Sequence, residues 1–430
     1  MRMVWSGVRR YQLILAMAIV AASALYLLVI HYFGIETGVM KTYLPIAEEM
    51  MSGDFQGMEY PPVAMMFIAV PGLFSLTPLG YNIAFVAETC VFMLIGLAAV
   101  CKLAKRYNQS QRSAMLIYTG LMLLMLIFVA DRFDIFPAIL TLLSFYCLVT
   151  KRYAFAFFLL AIATMTELYP AVLFPIYLIP FILNRDIWNT WKGTSAFFIT
   201  VIVIILPLFF IGTEDVLYFL SFQLDRPLQI ESMAASFIHL ASFFGLTDVD
   251  VIFSHGTYNM IGPWPDAVAP YLPVLLAGVL FVIYLQYARM LHSLRKYKRD
   301  NENDRMLILG GTVIFALLAF ILTGKVFSSQ YIIWIIPFIT FMMITSLDHV
   351  SKYRILALSI TAAGLTLLNF AVNAAEGGEV IDTSDLGMVT TLARNIAVLV
   401  LSGYTLWVCT KYIEKRHWRT QPSDGDEQKP

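Results

Sequence analysis

Residues 62–101 read PVAMMFIAVPGLFSLTPLGYNIAFVAETCVFMLIGLAAVC, an apolar run in which Glu88 is the single charged residue. A membrane-spanning helix needs about 20 apolar residues, so the run is long enough for more than one pass. Pro62, Pro71 and Pro78 interrupt a helical hydrogen-bond ladder in its first part. The run therefore predicts one spanning helix over about 79–101, preceded by a segment that lies at the membrane surface or dips in and returns.

The rest of the chain has the same character. Hydrophobic residues make up 59% of the sequence and charged residues 13%, and the mean hydropathy is +0.75. A soluble enzyme would carry about twice that charged fraction. A bilayer admits helices or closed barrels, and barrel strands alternate apolar with polar residues. We therefore predict an all-α transmembrane bundle of about twelve spans, drawn from apolar segments at 11–33, 62–101, 113–130, 135–150, 154–167, 169–183, 194–212, 268–288, 306–323, 330–347, 354–372 and 389–411.

Basic residues set the expected orientation, because Lys and Arg are retained on the cytoplasmic side of short loops. With both termini inside, twenty-four of the twenty-nine Lys and Arg residues are cytoplasmic, and five lie outside: Lys41, Arg132, Arg226, Lys325 and Arg394. This predicts one membrane domain over 1–411, with outer loops at 34–61, 213–267 and 373–388, and a disordered cytoplasmic tail over 412–430. The formal charge is zero and no basic face is apparent, which argues against a nucleic-acid partner.

Five polar or proline-containing motifs interrupt the apolar background, and this topology places all five on the outer side. The first outer loop holds an expected amphipathic helix around Met40 to Met51. The motifs are the loop from Glu36 to Pro62, which ends in Glu59-Tyr60-Pro61-Pro62; Asp131-Arg132-Phe133-Asp134; Thr166-Glu167-Leu168-Tyr169-Pro170; the segment from Asp225 to Ser232; and the segment from Lys325 to Tyr331. Charged groups at a membrane boundary are costly unless they are paired or wetted. The motifs therefore predict a water-accessible cavity lined by carboxylates and a few cations.

This mixture of charges suits a phosphorylated lipid and a hydroxyl group. Arg132, Lys325 and Arg226 are the candidate phosphate-binding residues, since Arg contacts phosphate oxygens in pairs and Lys acts as a point charge. A carboxylate can deprotonate an acceptor hydroxyl or accept hydrogen bonds from a sugar. The sequence shows no His cluster, paired Asp-x-Asp or glycine-rich phosphate loop. We therefore expect neither a required metal nor a nucleotide cofactor.

The ordered motifs resemble glycosyltransferase family 87 over roughly residues 34–340. The resemblance rests on Glu-Tyr-Pro-Pro at 59–62, Arg-Phe-Asp at 132–134, Glu-Leu-Tyr-Pro at 167–170, Gln-Ile-Glu-Ser at 229–232, and Ser-Ser-Gln-Tyr at 328–331 followed by Trp334 and Pro337. It implies a GT-C-like helical membrane protein that moves a hexose, with mannose as the leading expectation. The implied donor is a polyprenyl-phosphate sugar, and the implied acceptor is a hydroxyl of a glycan, glycolipid or protein at the outer face.

The resemblance implies a catalytic Asp in the first outer loop, and here the sequence departs from it. Glu36 fits by position, Asp54 by residue type and Glu59 by motif, so these three remain candidates for the catalytic base. The candidate substrate-binding residues are Asp131, Asp134, Glu167, Tyr60, Tyr169, Glu231, Gln330 and Tyr331.

Two other functions remain open. Glu88 and Asn82, both inside a predicted span, suit the proton or cation site of a secondary transporter, although no similarity between the two halves of the chain supports that reading. A flippase or an assembly scaffold for envelope lipids is the third alternative. His239 and His255, isolated in the long outer loop, are interpreted as surface residues.

Overall fold

The computed structural model describes residues 2–53, 59–211, 218–296, 301–375 and 385–418. These residues form a helical bundle, as predicted. The first helices are α1 (Arg2–Phe33), α2 (Leu44–Ser52), α3 (Pro62–Gly72), α4 (Pro78–Arg106), α5 (Gln111–Leu124), α6 (Leu126–Asp131), α7 (Ile135–Val149), α8 (Tyr153–Thr166) and α9 (Phe174–Leu183). The later helices are α10 (Ile187–Ile205), α11 (Leu208–Ile211), α12 (Tyr218–Asp225), α13 (Met233–Phe243), α14 (Pro263–Val268), α15 (Leu272–Lys296), α16 (Glu302–Thr323), α17 (Ile332–Met343), α18 (His349–Ala375) and α19 (Asp385–Trp418). Short π or 3-10 segments occupy Val39–Tyr43, Tyr169–Leu173, Ala269–Tyr271 and Ser329–Tyr331.

Seven helices in the described part of the chain are long and apolar enough to cross a bilayer. They are Gly7–Phe33, Pro78–Arg106, Ile187–Phe210, Pro263–Lys296, Glu302–Thr323, His349–Asn373 and Leu386–Tyr412. Six further apolar helices are shorter, and α3, with 11 residues, rises about 16 Å, well below the thickness of a hydrocarbon core. The membrane bundle is therefore shown, whereas a total of twelve spans stays a prediction.

The centre of the bundle is formed by the short helices α7 and α17. Nearly every residue of each is buried, because neighbouring helices surround them: α7 packs on α8, α4 and α17. A helix that is apolar all round belongs in such a core. The turns that precede α7 and α17 therefore meet at one end of the bundle, and these turns carry the Asp-Arg-Phe-Asp and Ser-Ser-Gln-Tyr motifs.

Basic residues gather at the opposite end. Arg106, the last residue of α4, forms an ion pair of 2.7 Å with Glu302 at the start of α16. Arg295, near the end of α15, donates a hydrogen bond of 3.0 Å to the carbonyl of Leu183 at the end of α9. These residues belong to loops that the sequence assigns to the cytoplasmic side. The side of the membrane on which each end lies stays a prediction.

A small antiparallel sheet lies between α12 and α14, an element that the all-α prediction did not include. Its strands are β1 (Leu228–Gln229), β2 (Asp250–Ser254) and β3 (Thr257–Ile261), in the order β1-β3-β2. His255 and Gly256 form the two-residue turn between β2 and β3, with φ of 53° and 68°. A two-residue hairpin turn with both φ positive matches the right-handed twist of its strands. The strands are too short for their pattern to be recognised in the sequence.

The three predicted outer loops and the tail have more helix than their polarity suggests. Val39–Tyr43 and α2 fill the first loop, close to the helix expected there, and 54–58 lie outside the described residues. In the third loop, α18 extends to Ala375 and α19 begins at Asp385. Helix α19 ends at Trp418, so residues 412–418 of the predicted disordered tail are helical, and 419–430 lie outside the described residues.

Candidate active site

The Asp-Arg-Phe-Asp turn between α6 and α7 anchors the first outer loop. Asp131 Oδ1 accepts a hydrogen bond of 3.2 Å from the amide of Val39, the first residue of the π segment. A Cβ atom on Gly38 would overlap the Arg132 guanidinium, so glycine allows this close approach. Asp131, predicted to bind substrate, thus caps a helical segment that is 92 residues away in sequence. The Arg132 guanidinium therefore lies beside Gly38 of the first outer loop.

Asp134, at the other end of the turn, holds a buried tryptophan. Trp334 Nε1 donates a hydrogen bond of 2.8 Å to Asp134 Oδ1, and both side chains are buried. Burial raises the pKa of Asp134 to about 7, while the Trp334 hydrogen bond and the Arg132 charge oppose that rise. The indole lies between two tyrosine rings, with centroids 4.0 Å from Tyr169 and 3.8 Å from Tyr331. Asp134 therefore fixes the orientation of a three-ring stack.

Tyr60 is held by aromatic packing on this turn. Its ring lies 6.1 Å from Tyr43 and 5.3 Å from Phe133, both edge to face. Burial raises the pKa of Tyr60 to about 12, so the phenol remains a hydrogen-bond donor at neutral pH. The charges of both Arg132 and Arg226 act on it. Tyr60 is therefore near both of the arginines predicted to bind phosphate.

Lys325 holds the turn that carries Arg226. Its Nζ donates hydrogen bonds of 2.7 Å to the Leu224 carbonyl and 3.2 Å to the Arg226 carbonyl. Gln229 strengthens the connection, since its amide donates to the Lys325 carbonyl at 2.9 Å and its Oε1 accepts from the Phe327 amide at 2.8 Å. The Lys325 ammonium is thus occupied by backbone oxygens.

Arg226 differs from Lys325, because one of its hydrogen-bond donors has no protein partner among the described residues. Its Nε is buried and has no hydrogen-bond partner among the described residues. Its positive charge acts on the Glu59 and Glu167 carboxyls. In the described part of the chain, the Arg132 guanidinium likewise makes no hydrogen bond. Two of the three predicted phosphate-binding cations therefore have unused donors.

Glu59 and His255 lie at the more exposed edge of this site. Glu59 is exposed, yet partial desolvation raises the pKa of its carboxyl above the ordinary value, and Arg226 and His255 oppose that rise. His255 stands at the β2–β3 turn with its ring 4.9 Å from Phe222, and its Nδ1 has no partner in the described structure. The interpretation of His255 as a surface residue missed this position. The His-Gly pair between two short apolar segments was the available signal for a hairpin turn.

Glu167 lies deeper, directly after α8. The structure shows no hydrogen bond to its carboxylate from any described residue. Burial raises the pKa of Glu167 to about 8, Asp134 adds to the rise, and Arg226 opposes it. We call Glu59, Glu167, Arg132, Arg226 and His255 the open cluster, because their charged or polar tips lack protein hydrogen bonds within the described residues.

Glu231, also predicted to bind substrate, is held by several protein contacts. Arg394 Nη1 lies 3.2 Å from Glu231 Oε1 and its Nη2 donates to the Glu231 carbonyl at 2.6 Å. Asn369 Nδ2 donates to the same carboxylate oxygen at 2.9 Å, and Asn395 Nδ2 donates to the Glu231 carbonyl at 3.1 Å. The Arg394 guanidinium lies 4.2 Å from the Phe327 ring, and the Arg394 side chain is 0% exposed. We call Glu231, Asn369, Arg394 and Asn395 the buried network. It connects the second outer loop to α18 and α19.

The remaining predicted residues lie apart from the open cluster or next to its edge. Glu36 forms an ion pair of 3.4 Å with Lys41, and their side chains are 73% and 62% exposed. Asp54 lies outside the described residues. Gln330 is partly exposed beside Tyr331, and Tyr169 is fully buried behind Trp334. The described residues contain no group of three His, Cys, Asp or Glu side chains arranged to hold a metal ion.

Glu88 and Asn82, the basis of the transporter alternative, lie within α4. Glu88 is ten residues from Pro78 at the start of that helix, a rise of about 15 Å. Glu88 Oε2 and both amide atoms of Asn82 are buried with no hydrogen-bond partner among the described residues. They are therefore a separate polar feature of the bundle.

Comparison with known proteins agrees with the motifs and the fold. The model of glycosyltransferase family 87 matches residues 59–320, more than half of the chain, and no curated protein matches. The matched segment begins at Glu59 and contains Arg132, Glu167, Arg226 and His255, so the whole open cluster lies inside it. The motif around Lys325 lies just beyond its end. The resemblance predicted from the ordered motifs is confirmed: the chain belongs to glycosyltransferase family 87.

Proposed function

We propose that this membrane glycosyltransferase moves a hexose, with mannose as the first candidate, from a polyprenyl-phosphate carrier to an acceptor hydroxyl. The observation that carries the proposal is the open cluster, in which the Arg226 charge acts on the carboxyl groups of both Glu59 and Glu167. The charged groups of this cluster lack protein hydrogen bonds in the described structure. Unpaired charged groups cost folding free energy, so a ligand that pairs with them binds strongly. A phosphate and a set of hydroxyls supply both kinds of partner.

Arg226 and Arg132 are the proposed phosphate-binding residues. As the bond between the sugar and the phosphate breaks, negative charge develops on the departing polyprenyl phosphate. Fixed guanidinium groups stabilise that charge more in the transition state than in the ground state. Lys325 acts one step away in this scheme, because its ammonium already binds the carbonyls that position Arg226.

Glu59 is the proposed general base among the three first-loop candidates. The acceptor oxygen forms a bond to the anomeric carbon, the bond from that carbon to the phosphate oxygen breaks, and the acceptor proton passes to the carboxylate. Glu59 is next to Arg226, whereas Glu36 is engaged with Lys41 in an exposed ion pair. Glu167, deeper in the cluster, is proposed to accept hydrogen bonds from sugar hydroxyls.

The site is proposed to face the extracytoplasmic side. This placement rests on the distribution of Lys and Arg in the sequence, in which the predicted cytoplasmic loops and termini together hold twenty-four of twenty-nine. A polyprenyl carrier would then enter from the outer leaflet, with its chain between helices. Labelling of a cysteine introduced at exposed Asp248 in the second outer loop, in sealed vesicles and with a membrane-impermeant reagent, tests this orientation.

The test of the function is a panel of polyprenyl phosphates, unloaded or loaded with mannose, glucose or galactose, added to the detergent-purified protein. A ligand that binds only the folded state at a hundredfold excess over Kd stabilises it by about 2.7 kcal/mol. We expect a shift of thermal unfolding with the carrier and hexose transfer from one loaded donor. Glu59→Gln should reduce transfer by about 10²- to 10⁴-fold without abolishing the shift. Absence of both binding and transfer for every donor would exclude this proposal.

Transport through a site at Glu88 is the second candidate, and its support is the unpartnered Glu88 and Asn82 side chains in α4. It predicts a different pattern of variants. Glu88→Gln would abolish transport, while Arg226→Ala would leave transport intact. The glycosyltransferase proposal predicts that Arg226→Ala reduces hexose transfer and that Glu88→Gln does not. The two variants assayed together in vesicles therefore separate the candidates.

A further inference from the structure

The three-ring stack ends in one partly exposed residue, Tyr331. Trp334 has both faces covered, by Tyr169 at an interplanar angle of 15° and by Tyr331 at 23°. Trp334 and Tyr169 are 0% exposed, whereas Tyr331 is only partly buried. One face of the Tyr331 ring packs on the indole. The exposed part of Tyr331 is therefore what the stack offers to a ligand.

The surroundings of Tyr331 are those of a sugar site. The charges of Glu167, Arg226 and Asp134 all act on its hydroxyl, which places the ring beside the open cluster. Glu167 offers a carboxyl group that accepts no hydrogen bond from the described residues, and sugar hydroxyls are suitable donors to its oxygens. An aromatic face with a carboxyl group at its edge matches a pyranose, which carries axial C–H bonds on one face and hydroxyls around its rim.

The stack is also rigid. The Asp134 side chain fixes the indole through a hydrogen bond of 2.8 Å, and the indole in turn stacks on Tyr331 with ring centroids 3.8 Å apart. A ring held in this way loses little conformational entropy when a ligand packs on it. The arrangement therefore explains why a buried Asp–Trp pair lies directly behind the open cluster.

We propose that Tyr331 is the platform on which the pyranose ring of the donor packs, with Glu167 accepting hydrogen bonds from its hydroxyls. The inference rests on the proposed function, because it takes the donor to be a polyprenyl-phosphate hexose. It assigns discrimination between the loaded and the unloaded carrier to Tyr331. Arg226, by contrast, binds the phosphate that both carriers share.

The experiment compares the affinity of loaded and unloaded polyprenyl phosphate for the wild type, Tyr331→Phe and Tyr331→Leu, with exposed Tyr271→Leu as the matched control. We expect the wild type and the control to prefer the loaded carrier. Tyr331→Phe keeps the ring and should keep the preference. Tyr331→Leu should lose about tenfold of it, with unchanged affinity for the unloaded carrier.

The outcomes separate this inference from the proposed function. A Tyr331→Leu variant that still prefers the loaded carrier as strongly as the wild type overturns the platform, and so does a Tyr331→Phe variant that loses the preference. If Tyr331→Leu no longer binds the unloaded carrier, Tyr331→Met replaces it in the same comparison. A wild type that binds neither carrier contradicts the proposed function itself. Equal wild-type affinity for both carriers contradicts only the platform.

Discussion

The buried network and the open cluster lie at the same end of the molecule and are built from the same kinds of residue, yet their bonding is opposite. In the buried network, the Glu231 carboxylate and the Arg394 guanidinium bond to each other and to neighbouring amides. In the open cluster, Arg226 has a buried Nε with no described partner, and Glu167 accepts no hydrogen bond from the described residues. Sequence motifs alone placed Glu231 and Glu167 in one group, as substrate-binding residues. Their contacts separate them.

This difference in bonding indicates which charged residues stabilise the fold and which are available to bind a ligand. A buried ion pair with additional hydrogen bonds holds its charges at little cost, and loss of one partner leaves the other unpaired. An unpaired charge already costs free energy in the folded state, so its removal costs little stability or even increases it. Variants of the buried network should therefore lose stability first, and variants of the open cluster should lose activity.

The largest expected effect is that of Arg394→Ala. It leaves the Glu231 carboxylate without its cation, and it removes a donor from the Phe327 carbonyl and the shorter of two hydrogen bonds to the Glu231 carbonyl. We expect the free energy of unfolding to fall by about 3–5 kcal/mol. Chemical denaturation in detergent measures it, with exposed Arg354→Ala on the same helix pair as the control. Unchanged stability would show that the buried network does not hold α19 to the second outer loop.

Arg226→Ala should produce the opposite pattern. Loss of a fixed charge at the departing phosphate should reduce the transfer rate by about 10²- to 10³-fold, while unfolding remains as in the wild type. Arg226→Lys retains the charge and should recover part of the rate. The measurement is initial rate with a loaded donor alongside thermal unfolding. A loss of stability equal to that of Arg394→Ala would show that Arg226 stabilises the fold, as the buried network does.

The sequence predicted the helical membrane bundle and the family because both depend on long-range averages and ordered motifs. Apolar runs report burial in lipid directly, and the short proline-containing helix α3 follows from Pro62 and Pro71. The β1-β3-β2 sheet escaped prediction, since two strands of five residues and one of two carry too little pattern. Residue type thus predicted where the chain is polar.

The bonding state of each charge could not be predicted. Asp131 pairs with the Val39 amide, Lys325 with the Leu224 carbonyl, and Glu231 with Arg394, across 92, 101 and 163 residues of sequence. No local pattern specifies such partners, because packing of distant helices brings them together. His255 entered the site for the same reason. The motifs located the end of the bundle that holds the site, and tertiary contacts determine which of its charges remain free.

Stability as a function of pH tests the open cluster without any substrate. The pKa of Glu167 is raised from 4.5 to about 8 in the folded protein. Between these values the folded state holds a proton that the unfolded state has lost, so stability falls as pH rises from about 5 to 8. Glu167→Gln removes this loss and should be more stable than the wild type at pH 8, on the order of 2 kcal/mol after solvent screening. Parallel thermal unfolding curves for both proteins across this range would contradict the assignment.

Lys325→Met should have a smaller effect that links the two regions. The variant loses hydrogen bonds to the Leu224 and Arg226 carbonyls but retains the Arg226 side chain itself. We expect transfer to fall about tenfold through misplacement of Arg226, as the loss of one or two charged hydrogen bonds implies. The double variant Lys325→Met with Arg226→Ala should then be no slower than Arg226→Ala alone. Multiplied effects in the double variant would instead indicate direct phosphate binding by Lys325.

Glu36→Gln should have the smallest effect, and it distinguishes position in the sequence from position in the structure. Glu36 fits the first-loop location of a catalytic acid, yet its carboxylate faces solvent and pairs with an equally exposed Lys41. Exposed ion pairs of this kind contribute little, so both stability and transfer should stay within about twofold of the wild type. Glu59→Gln, at a position three residues before α3 begins and near the Arg226 charge, is the comparison that should lose transfer. If Glu36→Gln loses transfer while Glu59→Gln keeps it, the first loop must rearrange on donor binding, because only movement of Val39–Tyr43 and the residues before it would bring Glu36 to Arg226.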